Sequence, residues 1–193
     1  MIGARHLPNL LTIARIAAVI PLVWLLLDGQ YRAGLVVAVL VGFTDWLDGA
    51  LARRYGWESE LGGVLDPVAD KLLVLSMYGT LAWLGTMPWW LVVMTLTRDA
   101  VIVTGGLVYH LRFERFQAAP TRLSKFNTFC QLLLGWVLLL TLAGVPVPPV
   151  AVQALIHVVA VLIVVTALQY VWIWGRRAAR LKRHRRGARE TPP

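Results

Sequence analysis

Cysteine, histidine pairs and acidic residues are scarce in this sequence. Its single cysteine, Cys130, excludes an internal disulfide and a metal site built from several thiolates. The four histidines (His6, His110, His157 and His184) are far apart, and none is paired at the spacing of metal ligands. A site built on cysteine or histidine is therefore not expected.

Long polar stretches are also missing, which excludes an ordinary soluble domain. Hydrophobic residues make up 58% of the 193 residues, and the mean hydropathy is +0.66. The apolar runs are long enough to cross a hydrocarbon core about 30 Å thick. We predict an all-α integral membrane bundle of six transmembrane helices, forming one domain over residues 1–175, with a basic tail over 176–193. The predicted spans are Leu10–Leu27, Ala33–Ala52, Leu65–Leu84, Trp89–Leu111, Phe126–Leu142 and Val150–Trp174.

Basic residues are plentiful, and their placement predicts the orientation. Of 19 lysines and arginines, eight lie in the tail, whereas the loop 143–149 carries no charge. Six spans place both termini on one side, and the excess of positive charge marks that side as cytoplasmic. A basic tail after a last span favours anionic lipid over nucleic acid as its partner. Arg15 and Pro21 interrupt the first apolar run, so we expect a mature span there and not a signal peptide.

Acidic residues are few, but four of them cluster in an apolar region. Asp45, Asp48, Asp66 and Asp70 lie within 26 residues. Carboxylates near a bilayer are costly and usually functional. Steps of three and four residues place each pair on one helix face, at the predicted cytoplasmic ends of two consecutive antiparallel helices. The four aspartates are therefore the candidate functional site of this protein.

Oxygen ligands of this kind suit Mg²⁺ or Mn²⁺, and two divalent cations would balance four carboxylates. Such a pair can clamp a phosphate group. Gly49, Ala52 and Gly62 leave room for a diphosphate or nucleotide to approach the backbone, and Arg53 could bind a phosphate. Pro67 disfavours helical geometry at Asp66, so the third helix should start there or be distorted.

Two functions of other classes compete with this interpretation. A non-catalytic scaffold would pair Asp45 and Asp48 with Arg53 and Arg54, but this leaves Asp66 and Asp70 with only Lys71 nearby in sequence. A proton-coupled transporter also uses intramembrane acids. Transporters usually place such acids near the midplane of a repeated structure, whereas here the acids lie at one end and no repeat is visible.

The complete acidic pattern resembles the signature of the CDP-alcohol phosphatidyltransferase family. The matching residues are Asp45, Asp48, Gly49, Ala52, Arg53, Gly62, Asp66 and Asp70, and the likeness extends from Pro8–Arg15 to the last span. The resemblance implies transfer of a phosphatidyl group from CDP-diacylglycerol to an alcohol, with release of CMP. It further implies two divalent metals on the four aspartates, Asp70 as general base, and nucleotide contacts from Gly49, Ala52, Arg53 and Gly62. A homodimer in a bacterial inner membrane is expected on the same ground.

The alcohol acceptor is predicted from basic residues later in the chain. Arg98, Arg122 and Lys125 are the candidate acceptor-binding residues, while an internal ion pair with Asp99 competes for Arg98. Arg98-Asp99, the segment 120–128 and Gln131 resemble CMP-forming cardiolipin synthases, whose acceptor is phosphatidylglycerol. Phosphatidylglycerophosphate synthases, which use glycerol 3-phosphate, are similar in pattern and stay open as the alternative.

Overall fold

The computed structural model describes the backbone of residues 7–55, 60–112 and 121–190, and the side chains of residues 10–44, 47, 69–106 and 121–176. Over this part of the chain the structure is all-helical, which confirms the predicted class. The six helices are α1 (Leu7–Leu27), α2 (Tyr31–Tyr55), α3 (Glu60–Trp83), α4 (Trp89–Arg112), α5 (Arg122–Leu142) and α6 (Pro149–Glu190).

Apolar side chains cover much of the described surface. Ile20, Trp24 and Leu168 are each more than half exposed, an arrangement that water would disfavour and lipid accepts. Among the described residues, three helical segments are long and apolar enough to cross a membrane: Leu10–Leu27, Arg122–Leu142 and Pro149–Arg176. These segments indicate an integral membrane protein, and the count of six crossings stays a prediction.

The chain forms two compact units. The first consists of Met1–Trp89 with Gly135–Val152, and the second of Trp90–Leu134 with Gln153–Pro193. The expected division into one domain over 1–175 and a tail stays a prediction. The backbone of α6 is helical through most of that tail, as far as Glu190.

In the first unit, α1 packs against both α2 and α3. The small residues Gly34 and Ala38 of α2 are buried, and a β-carbon added at Gly34 would lie 2.8 Å from the Leu26 side chain of α1. Glycine thus allows the close approach of these two helices. The two helices that carry the acidic pairs therefore share α1 as a neighbour.

The helix α3 does not start at Asp66, which was one of the two alternatives predicted from Pro67. The helix begins at Glu60, six residues before Asp66, so Pro67 lies inside it. An interior proline lacks the N–H that would bond four residues back, and its ring crowds the carbonyl there, so the remaining alternative is a local distortion of the helix. Gly62, Asp66 and Asp70 consequently follow one another at four-residue steps along one helix, which places them on a common face.

The second unit has a partly polar interior. Leu134, Val159 and Ile163 are buried there together with Thr95 and Thr166. The two threonine hydroxyl groups donate to the backbone carbonyls of Leu91 and Leu162, four residues earlier in their helices. Such bonds satisfy a buried hydroxyl without any partner from another helix.

Candidate functional site

The backbone places the eight signature residues on two helices. Asp45, Asp48, Gly49, Ala52 and Arg53 lie in the last turns of α2, and Gly62, Asp66 and Asp70 in the first turns of α3. Asp45, Asp48 and Ala52 share one face of an uninterrupted helix, as the spacing predicts. Of the eight, only Asp70 has a described side chain. The side chains of the other seven lie outside the described residues.

Asp70 presents an accessible carboxylate. Its side chain is 58% exposed, and its Oδ1 accepts a hydrogen bond from Arg15 Nη1 at 2.9 Å. Arg15 comes from the middle of α1, and its own side chain is only 1% exposed. The ion pair therefore joins a buried cation to an anion that remains open to its surroundings.

The accessible carboxylate of Asp70 fits a hard divalent cation. Carboxylate oxygens are the ligands that Mg²⁺ and Mn²⁺ prefer. Arg15 donates to Oδ1, and the Asp70 side chain remains more than half exposed. Asp70 can thus contribute to a metal site of the predicted kind.

A second polar cluster joins α4 to α5. Arg98 is 7% exposed. Its Nη1 donates to Asp99 Oδ1 at 2.8 Å, and its Nη2 donates to Ser124 Oγ at 2.5 Å. The internal ion pair that competed with a binding role for Arg98 is therefore present. Arg98 Nε is also buried and makes no hydrogen bond within the described part of the chain, so its N–H is available to a further acceptor.

The first turn of α5 is held in place by α6. Thr121 precedes the helix, and its hydroxyl caps it by accepting the Ser124 backbone N–H at 3.1 Å. The same hydroxyl lies 3.0 Å from Gln169 Oε1, to which it donates, and the Thr121 N–H donates to the Tyr170 hydroxyl. Arg122 and Lys125, the other two candidate acceptor residues, are exposed on this anchored turn.

Asn127 is a polar residue of this cluster that was not among the candidates. It lies three residues after Ser124 on the same face of α5 and is 0% exposed. Neither its amide nitrogen nor its amide oxygen makes a hydrogen bond within the described residues. A buried amide without a partner costs about 1–3 kcal/mol, so a water molecule or a ligand hydroxyl group would stabilise it. Asn127 lies in the segment 120–128 that resembles cardiolipin synthases, but the sequence of that segment does not show that its side chain is buried.

Sequence comparison relates the chain that carries these two polar sites to a known family. The profile of the CDP-alcohol phosphatidyltransferase family matches residues 5–173. The match covers nearly the whole chain, including α1, both acid-bearing helices and the Arg98 cluster. The chain belongs to the CDP-alcohol phosphatidyltransferase family, which confirms the resemblance inferred from the acidic signature. Divalent metal ions are general cofactors of this family.

Individual relatives bear two different names. A CMP-forming cardiolipin synthase of Streptomyces coelicolor is 40% identical over 103 residues, 50% of this chain and 48% of that protein. A probable CMP-forming cardiolipin synthase of Drosophila melanogaster is 35% identical over 143 residues, 65% of this chain and 44% of that protein. A probable phosphatidylglycerophosphate synthase of Mycobacterium tuberculosis is 35% identical over 176 residues, 86% of this chain and 80% of that protein. The alignments with the two cardiolipin synthases thus span about half the length of those relatives.

Proposed function

We propose that this protein transfers the phosphatidyl group of CDP-diacylglycerol to a glycerol-type alcohol and releases CMP, as a step of phospholipid synthesis. The observation that carries the proposal is the exposed Asp70 carboxylate, which lies in helical register with Asp66 and is held by a buried arginine. The family match supports the same reaction. In this reaction the acceptor oxygen forms a bond to the phosphorus that bears diacylglycerol. The diphosphate bond breaks, and CMP departs with the bonding electron pair.

Asp70 would accept the proton of the acceptor hydroxyl group as general base. Its accessibility allows an acceptor to reach it, and its fixed position favours in-line attack. Asp45, Asp48 and Asp66 would join Asp70 in holding two divalent cations, Mg²⁺ or Mn²⁺. When bound, such ions stabilise the negative charge that develops on the diphosphate. The nucleotide-binding site would be lined by Gly49, Ala52, Arg53 and Gly62.

For the acceptor we propose phosphatidylglycerol, which would give cardiolipin. Its headgroup carries one phosphodiester charge, whereas glycerol 3-phosphate is a dianion that needs several cations. In the Arg98 cluster, Asp99 lies 2.8 Å from the guanidinium and offsets much of its positive charge. The cluster therefore suits a singly charged phosphodiester better than a dianion. The Asn127 amide can both donate to and accept from a glycerol hydroxyl group.

The surface of α5 also favours an acceptor that arrives from the lipid. Phe126 and Phe129 are 54% and 60% exposed, and they follow the exposed Arg122 and Lys125 by one turn. A cationic turn next to an apolar surface matches a lipid with an anionic headgroup. The phosphatidylglycerophosphate synthase branch is the second candidate, because the Mycobacterium relative of that name aligns over 86% of this chain.

The test is an acceptor panel with purified protein. We expect CMP release from CDP-diacylglycerol with Mg²⁺ or Mn²⁺, and cardiolipin as the product when phosphatidylglycerol is present. Mass spectrometry of the lipid products identifies the acceptor. Phosphatidylglycerophosphate as the sole product, with phosphatidylglycerol inert, would assign the chain to the other branch. Without CMP release for any acceptor, the scaffold and transporter hypotheses would return.

We further propose that the protein lies in a bacterial inner membrane as a homodimer, with both termini and the four aspartates at the cytoplasmic face. The charge asymmetry supports the orientation. At the end of the last apolar segment, the Arg176 guanidinium lies 4.2 Å from the centre of the Trp172 ring. Such an aromatic–cation pair is typical of a membrane interface.

Cysteine labelling tests this orientation. In a Cys130→Ala background, we expect Val145→Cys to react with a membrane-impermeant maleimide on intact cells, and Ala188→Cys to react only after permeabilisation. Val145 is exposed in the turn between α5 and α6, and it is a better site than Gly144, whose φ of 92° disfavours any side chain. Labelling of both cysteines from the same side would show that α6 does not cross the membrane between them, and would contradict the prediction of six crossings.

A further inference from the structure

The two side chains of the Arg15–Asp70 ion pair differ greatly in exposure. The arginine side chain is 1% exposed and the aspartate side chain 58%. A half-exposed carboxylate can be solvated by water and does not need an ion pair to remain charged. Arg15, in contrast, must lose nearly all of its hydration in the middle of an apolar helix. The energetic requirement for the pair therefore lies with the buried arginine.

For stability alone, an apolar residue would serve better at position 15. Replacing a buried ion pair by apolar residues of similar volume is often neutral or stabilising. Arg15 occupies a packed face of α1, because Thr12, Leu22 and Leu26 on that helix are also almost fully buried. Methionine would fit such a face without desolvating a charge. An intramembrane arginine kept in this place points to a functional role.

The geometry shows what that role can be. Arg15 Nη1 donates a hydrogen bond to Asp70 Oδ1 at 2.9 Å. Because α1 packs against α3 and fixes the guanidinium, this bond restricts rotation of the Asp70 carboxylate. Loss of a group that holds a metal-binding carboxylate in this way typically costs about 10–100-fold in metal affinity or activity. We propose that Arg15 is the positioning residue of Asp70, which it orients for cation binding and for phosphatidyl transfer. This inference rests on the proposed function.

The first arm of the test measures metal binding without turnover. Titration of purified protein with Mn²⁺, followed by electron paramagnetic resonance of the free ion, gives the affinity directly. We expect Arg15→Met to weaken Mn²⁺ binding by roughly 10–100-fold, the usual effect of losing such a supporting contact. Arg15→Lys should recover part of the affinity, because it restores a donor. In an Asp70→Asn background, Arg15→Met should cause no additional loss, since the residue acts through Asp70.

The second arm separates positioning from a merely structural role. We expect the kcat of Arg15→Met to fall by a factor similar to that of the Mn²⁺ affinity, with both substrate KM values near those of the wild type. The matched control is Arg32→Met, which removes an exposed arginine of the same unit whose Nε donates to the Ala143 carbonyl oxygen. This control should leave both Mn²⁺ affinity and kcat unchanged.

The outcomes are distinct. Wild-type Mn²⁺ affinity and kcat in folded Arg15→Met would overturn the positioning role. A lower melting temperature with a smaller active fraction, but with unchanged Mn²⁺ affinity in the folded fraction, would overturn it too and leave Arg15 a structural residue. Should Arg15→Met fail to fold, the same criteria apply to Arg15→Gln, which is polar but uncharged and shorter than arginine. Failure of the wild type to release CMP would refute the proposed function, which separates that result from failure of this inference.

Discussion

Asp70→Asn should abolish phosphatidyl transfer while the helices remain folded. The substitution keeps the shape of the side chain and an oxygen that can accept from Arg15 Nη1. It removes the negative charge, and with it both the capacity to take a proton and most of the attraction for a divalent cation. General base catalysis alone contributes on the order of 10²–10⁴-fold, and loss of a metal ligand adds to this. CMP release measures turnover, and circular dichroism measures the helical content.

The matched control for this prediction is Asp28→Asn. Asp28 is an exposed acid in the turn between α1 and α2, where it accepts a hydrogen bond from Gln30 Nε2 at 2.7 Å. This variant should retain wild-type activity. Removal of divalent cations by EDTA should stop the wild-type enzyme reversibly, and added Mg²⁺ or Mn²⁺ should restore it. Full turnover of Asp70→Asn, or of metal-free protein, would refute the role assigned to the acidic cluster.

Arg98→Met should have the second largest effect, and it should act on the acceptor. A charge-assisted hydrogen bond contributes about 1.5–3 kcal/mol, so loss of a bond from Arg98 Nε to a headgroup phosphate should raise the acceptor KM by roughly 10-fold or more. The KM for CDP-diacylglycerol should change little. Arg122→Gln, which removes an exposed charge from the same cluster, should have a smaller effect with phosphatidylglycerol. If all three cations prove steeply required, glycerol 3-phosphate becomes the better acceptor.

Arg98 also has a structural partner, so its stability effect must be separated from its binding effect. Arg98→Met leaves Asp99 without its cation, and removing one member of a buried pair is destabilising. The double variant Arg98→Met with Asp99→Asn removes both charges. We expect it to regain thermal stability without regaining acceptor affinity. Recovery of both together would show that Arg98 only supports the fold.

Much of the fold could be predicted from the sequence because helix geometry is local. The predicted span Leu10–Leu27 lies within α1, and the predicted start at Trp89 coincides with the start of α4. The register within each acidic pair is equally local, since residues three or four apart share a face of any helix. The start of α3 was harder to predict. Pro67 predicted either a helix start at Asp66 or a local distortion there, and the start was the wrong alternative because the helix begins at Glu60.

The sequence by itself determined the membrane character and the family and supplied the candidates for the chemistry, because these depend on composition and on spacing along one chain. Only the tertiary structure decided which of these residues meet. Arg15 and Asp70 are 55 residues apart, and Arg98 and Ser124 are 26 apart. Arg15 lies in a predicted span with no acid nearby in sequence, and Ser124 is one of many small polar residues, so nothing local identifies either as a partner. Their contacts depend on which helix faces pack together, and that choice follows from the shape of the whole interface between helices.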